Sequence, residues 1–567
     1  MTRCLIIGVF IFSFFEPWCC SQNVNNDQRL SDIISKKGQA EVSIAYPGKK
    51  AFDHLTRNVS VSRIVNNEVH IILSSLTADW FITEGFDYKI IERIEGKELV
   101  GAGSVIEAME WENYPTWDQY DSIMQYFAGN YSELCRLDTI GTSINGRLIF
   151  ALKISNNVTA DEDEPCVFYS STIHGDETGG FVLMLRLADY LLNNYGIDGR
   201  IKNLVDNLQI WINPLANPDG TYTDGDTITS PTRANADGYD LNRNFPDPLA
   251  PNTVKQKETL DMMKFLKKHR FVLSANFHSG AEVVNYPWDR WERYHADNDW
   301  FYDISREYVD TVHDHSVVGY MTDLDNGVTN GYEWYPIYGG RQDYVTYEVQ
   351  GREVTIELDD DYITPANELA SLWKYNRSSL LGYFENALYG IHGRVEDSRS
   401  GKPVAAKIFI EGHDKDSSHI YSDTLTGSFI RLVEPGTWNL TFTAGGYHDT
   451  IIHNIIVNAR QRTDLEVKME SIFNPVDTTN PPKPLLYPNP ATFLIKAVLP
   501  ESLRGSINIK IYDPSGMKIS DYNTKAFTGI AVTLDIRSFP AGAYTVVFIN
   551  RSTGMSMRSR FIIARRF

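Results

Sequence analysis

The stretch CVFYSSTIHGDETGGFVLML, residues 166–185, decides how this chain is read. An apolar run ends at His174; Gly175 and Asp176 follow, then Glu177 and a fresh apolar run that continues as FVLMLRLADYLLNNY with helical spacing. The pattern predicts a buried strand, a tight turn and a helix. It leaves an imidazole and a carboxylate three residues apart at the end of the strand. On a turn entering a helix, positions i and i+3 can face one point, and a neutral imidazole nitrogen with a carboxylate oxygen suits zinc. Taken alone the pair is a weak signal for metal, and a His–Glu contact on a surface turn accounts for it more simply.

Working outward, RLIFALKIS (147–155), LQIWINPLANPDG (208–220), RFVLSANFHSG (270–280) and REVTIEL (352–358) read as further strands, separated by helical patterns. Strands alternating with helices predict an α/β fold, a mixed, mostly parallel sheet with helices on both faces. In such sheets functional groups collect at the carboxyl ends of strands, and His174, Asn217, His278 and Glu357 fall at or near such ends. Before this region, runs such as EVSIAY and EVHIILSSL predict a small α+β domain; after it, short strands with Gly, Pro and Asp turns predict two small all-β sandwich domains. The expected division is 1–21 signal peptide, 22–110 accessory or propeptide-like domain, 111–388 catalytic domain, 389–470 β-sandwich, 471–484 Pro-rich linker and 485–567 a last β-domain.

At 567 residues the chain is too long for one core. Its net charge of −20 argues against nucleic-acid binding, because nothing would track phosphates. Arg3 followed by the apolar Leu5–Phe15 reads as a secretory signal cleaved near Ser21. Cys19-Cys20 suggests a lipoprotein site, but the preceding Pro17-Trp18 lacks the small residues it needs. No later stretch has about 18 consecutive apolar residues, so no transmembrane segment is expected. Cys135 and Cys166 remain after cleavage, either paired or as two buried thiols.

A zinc site needs a third ligand, and His278 also ends an apolar strand. Two histidines and one carboxylate leave a position open, which is the catalytic rather than the structural arrangement. RANADGYDLNRNFPD (233–247) and WYPIYGGRQDYVTYEVQGREVTIEL (334–358) extend the pattern. With these segments the chain resembles the zinc metallocarboxypeptidases, the funnelin family, over about residues 115–388. Within it the likeness is to the regulatory branch that includes carboxypeptidases D, N, E and M.

The resemblance implies one Zn2+ per chain, held by His174, Glu177 and His278. It implies Glu357 as the general base that deprotonates the attacking water and Arg233 as the group that polarises the scissile carbonyl. Asn242 and Arg243 match the clamp on the substrate's terminal carboxylate, and Tyr335 the mobile tyrosine that closes over it. Asp289, in NYPWD, and Gln342, in GGRQDY, match the pocket for a basic terminal side chain, so removal of C-terminal Arg or Lys is expected. Arg341, where the branch often has Met, is expected beside that pocket as a cation that weakens the preference. Residues 390–470 resemble the transthyretin-like domain of the same branch. LYPNPATFLIKAVLP, IKIYDPSGMKI and IRSFPAGAYTVVFIN resemble the C-terminal sorting domain of type IX secretion. The expected partners are peptides or proteins with a free C-terminal carboxylate and the secretion machinery, for a secreted or outer-surface monomer. Two other readings stay open: a cell-wall stem-peptide carboxypeptidase acting on diaminopimelate-containing peptides, and a catalytically inactive binding module. The N-terminal domain reads as a propeptide or a chaperone-like module.

Overall fold

The computed structural model describes residues 18–91, 99, 101–160, 162–249, 254–472, 483–527 and 530–564. Most of the expected signal peptide and most of the 471–484 linker lie outside the described residues.

The first unit is an antiparallel four-stranded sheet in the order β2-β3-β1-β4. Its strands are β1 (Gln39–Ala45), β2 (Ser60–Val65), β3 (Glu68–Ser74) and β4 (Lys89–Ile91). Val42, Ile44, Val61, Val69 and Ile71 turn to one apolar cluster with Phe52, Leu55 and Phe81 from the helices Lys49–Thr56 and Ala78–Glu84. Two members of that cluster, Tyr335 and Ile337, come from nearly three hundred residues further along the chain.

The second unit is an eight-stranded mixed sheet with strands β5 (Cys135–Thr142), β6 (Leu148–Ile154), β7 (Cys166–Ser171), β8 (Gln209–Asn213), β9 (Leu273–His278), β10 (Ala281–Tyr286), β11 (Val328–Asn330) and β12 (Arg352–Asp359). Their order is β11-β10-β12-β9-β7-β8-β6-β5. The central pairs β12–β9, β9–β7 and β7–β8 are parallel. β8 and β9 are buried along their whole length, the signature of strands covered on both faces. The helix Gly179–Asn194 buries nearly every residue from Gly179 to Leu192 because it leads straight off the end of β7 into the core. Cys135 and Cys166 are free thiols.

One glycine makes the turn after β7 possible. A Cβ on Gly175 would stand 2.1 Å from the carbonyl carbon of Gly220, so the turn and the loop after β8 touch backbone to backbone.

The remaining described strands form two further pairs of sheets, three and four strands in each pair, as expected of small all-β sandwiches. The first pair is anchored by a buried ionic knot. Asp297 meets Arg352 on β12 at 2.7 Å and Arg431 at 2.7 Å, and Arg431 also meets Asp414 at 2.6 Å. His413 and Glu434 lie near the same point, but the two guanidiniums already neutralise Asp297, which makes it an ion-pair network rather than a metal centre. Truncating one member of such a network strands charges without water. Arg431→Ala is therefore expected to lower stability by about 3–5 kcal/mol, read as a shift of the urea midpoint with zinc held constant.

Candidate metal and substrate site

The sheet topology brings the chemistry together. Glu357 on β12 is in register with His278, the last residue of β9, and β9 runs parallel to β7, whose end leads into His174. Glu177 enters the site from the first turn before the helix Gly179–Asn194. All four residues therefore project from the carboxyl ends of adjacent parallel strands.

His174, Glu177 and His278 are buried, and their ligand atoms lie within 4.8 Å of one another. His174 Nδ1 is 2.7 Å from one Glu177 oxygen, His278 Nδ1 is 2.7 Å from the other, and the two Nδ1 atoms are 3.1 Å apart. Two nitrogens about 2.0–2.1 Å from a tetrahedral zinc stand about 3.3 Å apart, so this spacing fits the ion. The His174 Nε2 lies 3.0 Å from an Asp240 oxygen. That carboxylate accepts from Nε2–H, the tautomer that leaves the Nδ1 lone pair facing the convergence point. The His278 Nε2 rests 2.6 Å from the Asn276 amide.

Electrostatics follow the packing. Burial pushes Glu177 up, but the imidazoles of His174 and His278 outweigh it and hold the carboxyl well below its usual range. Burial lowers His278 to about 4. Glu357 goes the other way: burial first, then the Glu177 charge, raise it well above an ordinary glutamate, against the pull of Arg233 and Arg243. Its Oε2 is buried without a hydrogen-bond partner. Glu357 is thus a buried carboxyl of raised basicity beside the convergence point.

One cavity is lined by His174, Glu177, His278, Glu357, Arg233, Asn242, Arg243, Tyr335 and Asp289, and by Ser62 from β2. All the sequence-predicted site residues except Gln342 line it. Gln342 sits behind, donating to Asp289 Oδ1 at 2.8 Å beside Asn285, which donates to the same oxygen at 3.0 Å. The remaining oxygens of both amides are buried without partners. Asp289 is 2% exposed. Its neighbours Arg290 and Arg293 pair instead with Asp247 and Asp416, so Asp289 is no surface ion pair with either. Space for its carboxylate depends on Gly331, where a Cβ would stand 1.9 Å from Asp289 Oδ1.

Arg341 departs from expectation. Its side chain is fully buried, donating to Glu353 at 3.0 Å and to the Asn276 side chain at 3.2 Å, while its backbone N–H donates to the Asn242 side chain at 2.9 Å. Its charge is consumed by Glu353, which removes the reason to expect a weakened preference.

Asp240 is the residue sequence reasoning passed over. It lies inside the quoted segment GYDLNRNF, accepts from Arg233 Nε at 2.9 Å and from the Asn242 backbone N–H at 2.9 Å, and faces His174. A carboxylate two residues before Asn242 was the available signal.

A buried His–Glu–His cluster at strand ends of a mixed α/β sheet, with a basic glutamate alongside, defines a metallohydrolase of the carboxypeptidase fold. The zinc carboxypeptidase family matches residues 120–379, and a secretion system C-terminal sorting domain matches residues 485–564. The chain is 31% identical to carboxypeptidase M of Mus musculus over 406 residues, covering 67% of this chain and 90% of that one. It is 34% identical to carboxypeptidase SOL1 of Arabidopsis thaliana, covering 59% of this chain and 68% of that one. Carboxypeptidase D of Homo sapiens is 32% identical over 64% of this chain, which spans only 27% of that protein's length. The solved carboxypeptidase A from Helicoverpa armigera shares the fold with a TM-score of 0.50 at 17% identity, covering 62% of this chain and 97% of that one. The chain belongs to the zinc carboxypeptidase family. It is a metallocarboxypeptidase whose family membership implies one zinc ion, and its sorting domain marks it for secretion to the outer surface. No helix among the described residues is long and apolar enough to cross a membrane.

Partners that orient a zinc-binding histidine are worth about 10–100-fold in metal affinity. Asp240→Asn is expected to weaken zinc binding by that factor, measured by competition with a chromophoric chelator.

Proposed function

We propose that this enzyme removes C-terminal arginine or lysine from peptides and proteins, with His174, Glu177 and His278 holding the zinc ion. The observation that carries the reading is Asp289: a buried carboxylate flanked by two amides whose oxygens lack partners, in the cavity that also holds Arg243 and Glu357. A guanidinium or ammonium brings donors and no acceptors, which is what that acceptor-rich wall lacks. The same wall favours a basic terminal residue over the stem-peptide alternative.

The roles follow from position. Arg243 and Asn242 bind the substrate's terminal carboxylate, a group that no internal peptide bond has, which makes the enzyme an exopeptidase. Arg233 lies where negative charge grows on the carbonyl oxygen. Glu357 takes the proton of the attacking water and passes it to the departing amine. Tyr335 covers the bound residue. A zinc ion at this site supplies Lewis acidity, polarising a carbonyl and bringing the pKa of water down to about 7. We divide the chain as 22–110, 111–388, 389–470 and 485–567, a reading supported by the separate apolar clusters of the two β-units; the cluster of the N-terminal unit takes in Tyr335 and Ile337, and Ala102 and Ala108 pack with the catalytic sheet.

Dansyl-Ala-Arg is expected to be cleaved faster than dansyl-Ala-Phe; the reverse order would sink the basic preference. Asp289→Asn removes a charged hydrogen bond worth about 1.5–3 kcal/mol, and should cost the Arg substrate about 10–100-fold in kcat/KM while sparing the Phe substrate. Burial raises Asp289 to about 6. The charged form recognises the cation, so the Arg-over-Phe ratio should hold above about pH 6 and fall as pH drops through it.

Glu357→Gln should keep zinc and lose about 10²–10⁴ in kcat, the usual size of general-base catalysis. An unchanged kcat would exclude Glu357 as the base.

A further inference from the structure

β7 ends at Ser171, and within three residues the chain sends two side chains to different places. Ile173 enters the apolar cluster of Phe168, Trp211 and Ala216. His174 goes to the convergence point with Glu177 and His278. The turn between strand and ligand is made at Thr172, whose φ is +59°. A β-branched residue is an outlier in that left-handed region, because its Cβ crowds the following carbonyl oxygen. Glycine takes the same conformation without that crowding. Strain of this kind persists only where the surroundings over-determine it.

Hydrogen bonds supply that constraint. Thr172 is fully buried. Its Oγ1 donates to the Glu177 carbonyl at 3.1 Å, and Ser171 Oγ, 3.0 Å from Oγ1, donates to it in turn. The Glu177 N–H donates to the His174 carbonyl at 3.2 Å. Both backbone polar groups of Glu177 are therefore tied back into the turn that carries His174. On the other side, the N–H groups of Ala216 and Asn217 donate to the carbonyls of Ser171 and Thr172, each at 3.0 Å. The hydroxyl pair has no room to shift, since a Cβ on Gly180 would stand 2.1 Å from Ser171 Oγ.

We propose that Thr172 is a positioning residue for the metal site: its hydroxyl ties the ligand-bearing turn into a strained conformation that sets the spacing of His174 and Glu177. The proposal rests on the reading of His174, Glu177 and His278 as the zinc ligands. The bonds from Ala216 and Asn217 hold the start of the turn, and the Thr172 side chain links that start to Glu177. With the hydroxyl gone, the crowding at Cβ drives residue 172 out of the left-handed region and the two ligands move apart before metal arrives. The turn that can bind metal is then a minor population, and the apparent affinity falls by that fraction. Tie and strain act in opposite senses, so substitution separates them.

The test is the zinc affinity of the zinc-stripped full-length chain, read by competition with a chromophoric chelator and with no substrate present. Thr172→Val keeps the branched shape and the strain but lacks the hydroxyl. It is expected to bind zinc about 10–100-fold more weakly, the range found for groups that orient metal ligands. Thr172→Ser keeps the hydroxyl and is expected to bind as wild type does. Thr172→Gly removes the tie and the strain together, so it is expected to bind more tightly than the valine variant although it deletes more of the side chain. Lost packing alone predicts the opposite order, with glycine the weakest of the three. If the valine variant does not fold, Thr172→Ala takes its place, because it too lacks the hydroxyl and resists a positive φ. A valine or alanine variant with wild-type affinity, a serine variant as weak as either, or a glycine variant weaker than both overturns the proposal, while zinc binding by the wild type leaves the peptidase reading intact. A wild-type chain that binds no zinc overturns that reading and this proposal with it.

Discussion

Glu177 is a carboxylate closed off from water, and it has to be neutralised where it stands. Burying such a charge alone is prohibitive. Here it is surrounded by His174, His278 and the Arg233 guanidinium, whose Nη1 lies 3.0 Å from it. Each partner arrives on a different segment: the turn after β7, the end of β9, and the loop leading to Asp240. The cluster forms only if those strands are adjacent, parallel and in register, so the electrostatics of one residue constrain the whole central sheet. Gly175 adds to this, because any side chain there would push the turn off the loop after β8.

Charges of both signs line the cavity: cationic Arg233 and Arg243, and the acid Asp289. Asp343 lies behind Asp289, accepting from the backbone N–H groups of Asp289 and Arg290. Burial, and then the Asp289 charge, keep Asp343 well above the usual carboxylate range. The fully buried Arg341 is paired with Glu353 at 3.0 Å.

The units around the catalytic sheet divide their attachments. The following β-unit is bound through the Asp297–Arg352–Arg431 network, buried and ionic, on a side remote from the cavity. The N-terminal unit is bound through the cavity itself, by hydrogen bonds from Gln39, Ser60 and Val61 and by the loop from Trp334 to Tyr338. The first attachment suits a permanent buttress. The second engages Arg233, Asp240 and Arg243 at the cavity and its rim.

Much of the site was legible in the chain. An apolar run ending in His174, a carboxylate three residues on, and a second strand ending in His278 encode a strand-to-turn geometry that is local, and locality is what periodicity can report. The resemblance carried by DLNRNF, GGRQDY and TIEL supplied candidates that the structure then gathered around one cavity. Asp240, Asn276 and the true place of Arg341 were not legible, because a hydrogen-bond partner across a sheet leaves no spacing in the sequence. Least legible was the N-terminal unit. Its alternating strands announced a small sheet and nothing more, since the contacts of Gln39, Ser60 and Val61 with Arg233, Asp240 and Arg243 join segments nearly two hundred residues apart. The sequence by itself determined the chemistry the chain can perform. Only the tertiary structure decided which strand stands in the cleft where that chemistry happens, because shape and long-range register, not composition, bring β2 to Arg243.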